Sequence, residues 1–201
     1  MSSSSPYLEI IFQLINGQQL RFSEDDEQAV AELLRNIKPQ KFFSDEQVRL
    51  CGDSFVSGIS KNAISWMVFK THAKLGWHFP NHFLGVEVLT KEDFDHAINT
   101  ELENIKAVMN SGKAGKPVSM FLELLMRDGV FWHFRISSET LIRMEKIEMS
   151  KIIRQLTGLH ATGADGGGVL VNMNNVMSWR SYPSSFDANS KSWKLSISET
   201  K

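Results

Sequence analysis

Two stretches of this chain, one near each end, spell the same apolar pattern around the same kind of turn. Leu8, Ile10, Phe12, Leu14, Gly17, Leu20 and Phe22 are followed 112 positions later by Met120, Leu122, Leu124, Met126, Gly129, Trp132 and Phe134, and Asn16-Gly17 falls on Asp128-Gly129. Further along, Asn62-Ala63-Ile64-Ser65-Trp66 matches Asn175-Val176-Met177-Ser178-Trp179, now 113 positions apart. A repeated unit constrains architecture strongly and chemistry weakly.

The unit itself is legible. Leu8, Ile10, Phe12 and Leu14 alternate with Glu9, Ile11 and Gln13, which is the period of a strand with one face buried. Asn16-Gly17 favours a tight two-residue hairpin, with Gln18 to Phe22 returning as the partner strand. Ser23, followed by Asp26 and further acids, predicts a capped helix start. The stripe Ala29, Val30, Leu33, Leu34 and Ile37 then ends at Lys38-Pro39. Val48 to Cys51, Phe55 to Ile59 and Ala63 to Phe69 read as strands, with Cys51 as a small buried hydrophobe.

The second unit repeats the order with Val118 to Met126, Val130 to Ile136, a helix over about Ser138 to Met149, and strands toward Trp179. Between the units, Lys70 to Gly85 mixes histidines, aromatics and Pro80, and Val86 to Leu89 predicts a short strand. Thr90 with Asp93 predicts a capped helix through Met109. Ser111 to Pro117 reads as a linker, and Ser192 to Ser198 as one more edge strand. The expected class is α+β: a tandem duplication of a ββα-plus-strands unit, each an antiparallel sheet with a helix on one face, in a pseudo-twofold arrangement with a helical insertion between copies. The expected boundaries are a tail at 1–7, a first repeat at 8–69, an insertion at 70–117, a second repeat at 118–182 and a C-terminal tail at 183–201.

Charge and cysteine content narrow the function classes. With 22 basic against 23 acidic residues, broad phosphate attraction is not expected to drive binding, and nucleic acid is an unfavoured partner. One cysteine leaves no intramolecular disulfide and fits a reducing cytoplasm. No apolar run approaches the roughly 20 residues of a membrane-spanning helix, so no membrane association is expected.

Four groupings invite chemistry. Gly163-Ala164-Asp165-Gly166-Gly167-Gly168 has the composition of a phosphate cradle, but a cradle needs a helix after the glycines, and the strand-like Val169 to Met173 follows instead. A hairpin turn is expected there. His72, His78 and His82 lie near one another beside Trp77 and Phe79, yet their spacing matches no metal pattern, and Pro80 interrupts any helix that would pair His78 with His82. They stand as loop histidines, with a metal site as the alternative. His133, between Trp132 and Phe134, is expected to face solvent. Trp66 and Trp179 offer either stacking surfaces or cover for the core. Arg35, Lys38 and Lys41, next to Phe42-Phe43, offer either helix-end cations or a surface for an anionic partner, and Lys146, Lys151 and Arg154 follow the second helix in the same way.

No catalytic triad or nucleophile elbow is present, no cofactor is expected, and enzyme status leans negative. The leading expectation is a non-catalytic binding or assembly/regulatory protein that holds a protein or peptide at the cleft or sheet edge between the units. Phe42, Phe43, Trp66, Trp179, Trp77, His78, Phe79 and His82 are the contact candidates. It would act as a monomeric pseudo-dimer or a homo-oligomer. The alternatives are an enzyme, small-molecule or metal-dependent, centred on the histidine-rich insertion, and a weak single-stranded nucleic-acid binder.

Overall fold

The computed structural model describes residues 7–44, 46–52, 54–79, 83–110, 117–139, 155–163 and 167–182. The N-terminal tail to residue 6, most of the predicted second helix with its basic grouping, and the predicted strand at 192–198 lie outside these residues. So do His82, Pro80 and most of the 111–117 linker.

The first hairpin pairs β1 (Leu8–Leu14) with β2 (Gln19–Glu24). Its connection is longer than a two-residue turn. Gly17 N–H bonds the Leu14 carbonyl at 3.0 Å, Leu14 N–H bonds the Gln18 carbonyl at 2.8 Å, and Gly17 takes φ 87°. Such a three-residue loop ends on a residue that favours glycine. The Asn16 side chain adds an acceptor for Gln18 N–H at 3.0 Å.

Helix α1 (Glu27–Asn36) follows, capped by Asp26, whose carboxylate accepts from Ala29 N–H at 2.7 Å. Ser23 is not the cap, because it remains paired with Glu9 in the ladder. Val30 and Leu34 are buried on the α1 face that meets β1, and the helix stops before Pro39 as its sequence predicts. A 3-10 segment, Pro39–Ser44, leads to β3 (Gln47–Gly52) and β4 (Phe55–Ser60), then β5 (Ile64–Thr71).

The predicted insertion contributes β6 (Phe83–Leu89) and α2 (Lys91–Asn110). The Thr90 hydroxyl accepts from Asp93 N–H at 3.1 Å, which is the expected cap. The remaining strands are β7 (Pro117–Met126), β8 (Phe131–Glu139), β9 (Gly158–Thr162), β10 (Gly168–Asn172) and β11 (Val176–Tyr182).

Nine strands form one sheet in the order β11-β7-β8-β6-β9-β10-β5-β1-β2, while β3 and β4 pair only with each other. The chain is therefore mixed α and β with one large sheet. Far from being peripheral, the insertion places β6 at the sheet's centre, antiparallel to β8 and parallel to β9.

The sheet cannot be flat. Only Met173–Asn175 separate β10 from β11, a reach of at most about 14 Å. Five strand intervals would place them about 24 Å apart in a flat sheet. It folds back over a core of Leu122, Leu124, Met126, Phe134, Ile136, Leu159, Val169 and Val171. A second core on the opposite face joins Leu8, Ile10, Phe12, Met67 and Phe69 to α1, and Phe94, Ala97 and Ile105 of α2 cover Phe121.

Backbone hydrogen bonds at the two hairpins recur at one spacing. Met126 N–H bonds the Val130 carbonyl and Gly129 N–H the Met126 carbonyl, each 112 positions after its first-hairpin counterpart. Ile15 N–H to the Ala63 carbonyl likewise precedes Arg127 N–H to the Asn175 carbonyl. The 113-residue match of the Asn and Ser-Trp positions is one residue out of phase with this. Trp66 pairs with Gln13, and Ser178, not Trp179, pairs with the corresponding Leu125; bulges beside Ile64 and Val176 keep the two pairings in step.

Candidate functional site

The predicted contact residues separate into core and surface. Phe43 and Trp77 are buried, so neither is an exposed aromatic. Phe43 stacks edge-on with the half-buried Phe42 at 5.0 Å, and the Trp77 indole donates to the Leu34 carbonyl at 3.2 Å. His72 and His78 are exposed, and among the described residues no three His, Cys, Asp or Glu side chains group as metal ligands. Trp66 is half-buried and donates to Asp128 at 3.1 Å, whereas Trp179 is exposed.

The glycine-rich segment joins β9 to β10, and Gly163 N–H bonds the Gly167 carbonyl at 3.3 Å. It is a hairpin, strand to strand. A phosphate cradle would need helix amides at its far end, and β10 occupies that place.

Two residues behave differently from their sequence reading. Cys51 is exposed, because β3 is half of a detached ribbon whose Val48 and Leu50 lean on the core while the intervening positions face outward. His133 is buried rather than solvent-facing. It lies beneath α2, 4.8 Å from the Phe94 ring, with Nε2 3.3 Å from Glu123, which in turn lies 3.4 Å from Arg180. Arg180, Glu123 and His133 are cross-strand neighbours on β11, β7 and β8, so Glu123 lies between an exposed cation and a buried imidazole.

His160, which carried no sequence signal beyond its residue type, is 3% exposed. Its ring stacks on Phe79 at 4.5 Å and meets Trp77 edge-on at 5.7 Å, and neither ring nitrogen has a hydrogen-bond partner among the described residues. Burial, reinforced by the nearby positive charge of His78, pushes its pKa down to about 4. A neutral imidazole held between Trp77 and Phe79 packs as part of the core.

Two surface features stand out among the described residues. One is the outer edge of β11: among the described residues no strand pairs with it, and Met177 and Trp179 are exposed there, with Phe131 on nearby β8. The other is a pair of cavities on either side of Lys38 and Lys41, about 560 and 710 Å³ in volume.

The chain matches no protein-family model, no curated protein and no solved structure.

Proposed function

We propose that this protein is a non-catalytic binding or assembly protein that holds an extended peptide or protein partner along the outer edge of β11. The carrying observation is the contrast between the sheet's two edges. β2 ends the sheet with Gln19, Arg21, Ser23 and Glu24, polar residues that discourage further pairing, whereas among the described residues β11 has no strand on its outer side and exposes Met177 and Trp179. A strand added there would satisfy the open backbone groups and cover the apolar side chains in one step.

The duplication reading gives this edge a second argument. We infer that residues 8–69 and 118–182 are copies of one unit in a pseudo-twofold arrangement. The recurring hairpin bonds support it, as do the 3-10 turns at 61–63 and 173–175 and the matching strand orders β5-β1-β2 and β11-β7-β8. Under it, β11 corresponds to β5. The open side of β5 is taken by β10, but β4, the counterpart of β10, pairs only with β3. The place beside β11 is thus left for a partner. The chain acts as a self-sufficient pseudo-dimer in a reducing cytoplasmic setting, consistent with its single exposed cysteine.

The test is to select binders from a random peptide library on the immobilised full chain and to map hydrogen exchange with the best peptide. Slowed amides at 178–182 and loss of binding in M177K/W179K are expected. Protection confined to other strands, or no peptide enriched over the M177K/W179K protein, overturns the proposal.

A further inference from the structure

Five cations, Arg35, Lys38, Lys41, Arg49 and Lys74, converge from separate stretches of chain beside the C-terminal end of α1; Lys61 also reaches this region, but it is buried and donates to the Phe42 carbonyl. Lys38, Lys41, Arg49 and Lys61 line the smaller cavity, and Arg35, Lys38, Lys41 and Lys74 line the larger. No acidic residue is among the described residues lining either one. A helix end accounts for Arg35 through the negative pole of its dipole, but it does not account for Arg49, Lys61 and Lys74, which arrive from other elements. Arg35, Lys38, Lys41, Arg49 and Lys74 form no ion pair among the described residues. In a chain with 22 basic and 23 acidic residues, such segregation sets up a local positive field that a bound anion would neutralise.

The smaller cavity combines that field with an apolar floor. Phe12, Leu33, Ile37, Phe42 and Met67 line it from below, and Val48 and Leu50 of the β3–β4 ribbon form one wall. Because β3 and β4 pair only with each other, displacing that wall would break none of the main sheet's ladder hydrogen bonds. The volume, about 560 Å³, falls within the range of about 300–1,000 Å³ typical of small-molecule sites.

We propose that this cavity binds an amphipathic organic anion, with an acidic head at Lys38, Lys41 and Arg49 and an aliphatic tail on the Phe12–Leu33–Met67 floor. The cations alone would serve any anion, and the floor alone any oil. Only a molecule carrying both features uses both. A free fatty acid and an alkyl phosphate monoester share this chemistry.

Calorimetric titration of the full chain with decanoate, decyl phosphate, decanol and inorganic phosphate separates the terms. At least one of the two acids is expected to bind one-to-one, and the tighter of them identifies the head group. Decanol should bind at least tenfold more weakly, and inorganic phosphate should give no saturable heat. K38E/K41E, at two exposed positions, should weaken acid binding at least tenfold with the melting temperature nearly unchanged, and Leu50→Trp, which fills the cavity from its wall, should do the same. Decanol binding as tightly as decanoate, inorganic phosphate binding as tightly as decyl phosphate, indifference to K38E/K41E, displacement of the acids by oligo(dT) or polyglutamate at lower concentration, or no binding by either acid would each overturn the proposal.

Discussion

The indoles of Trp66 and Trp132 meet edge-on, with ring centres 5.3 Å apart and planes at 80°. Their strands, β5 and β8, are separated by four intervals in the hydrogen-bonded order, about 19 Å in a flat sheet. The contact therefore lies across the inside of the fold in the sheet, and Asp128 anchors it by accepting from the Trp66 indole while its other oxygen accepts from Val130 N–H at 3.2 Å.

This pair should behave as a structural joint. Trp66→Ala is expected to cost about 3 kcal/mol of stability, and a double-mutant cycle with Trp132→Ala should return a coupling of about 0.5–1.5 kcal/mol. Trp179→Ala, at an exposed edge position, should cost no more than about 0.5 kcal/mol while weakening partner binding. Urea unfolding measures all three, and equal losses for Trp66→Ala and Trp179→Ala would contradict the assignment.

His160 makes stability pH-dependent. Its folded pKa is depressed to about 4 from the ordinary 6.5, so the unfolded chain binds the extra proton first as pH falls. Its contribution is complete above about pH 6.5 and declines from there down to about pH 4, by about 3 kcal/mol in all. In His160→Phe that component should vanish from the stability profile between pH 7 and 4. An unchanged profile would show that the imidazole does not drive it.

Glycine substitutions should separate packing from phosphate chemistry. A Cβ at Gly158 would sit 2.1 Å from the Pro39 carbonyl oxygen, a backbone atom, so Gly158→Ala should cost about 3 kcal/mol. Gly163 has nothing within 4 Å, and Gly163→Ala should be neutral to within about 0.5 kcal/mol. Nucleotides should leave the melting temperature of both proteins unchanged.

Asn172 is fully buried, and its amide donates to the Lys61 carbonyl at 3.0 Å and the Ile64 carbonyl at 2.8 Å, tying the entry of β5 to the end of β10. Asn172→Leu removes both donors, so about 1–3 kcal/mol should be lost. Hydrogen exchange at β5 and β10 should accelerate before it does at β7 and β8; uniform acceleration would argue against a local tie.

Cys51, exposed on the ribbon, should react with a maleimide in the native protein at nearly the rate seen in urea. Slow labelling that requires unfolding would mean that the ribbon face is covered.

Local chemistry makes much of this protein legible in its sequence. Gly17 and Gly129 marked both hairpins, Pro39 marked the end of α1, and Thr90 with Asp93 marked the start of α2, because each acts through bonds within a few residues. The candidate surfaces were less legible. Arg35, Lys38 and Lys41 stood out beside Phe42, but Arg49, Lys61 and Lys74 join them only through folding. His160 and His133 owe their burial to aromatic neighbours far away in sequence. Cys51 was misread because period-2 alternation gives two faces without saying which one meets the core.

The sequence by itself determined the two hairpins at Gly17 and Gly129, the end of α1 before Pro39, the start of α2 at Thr90 and the near-neutral charge, since these follow from local sterics, capping and composition. Tertiary structure alone decided that β6 enters the interior of the sheet, that β3–β4 stands apart, and that among the described residues β11 lies at the sheet's edge. Those outcomes turn on which backbone edges find each other across long loops, and a strand's own residues specify its faces but not its neighbours.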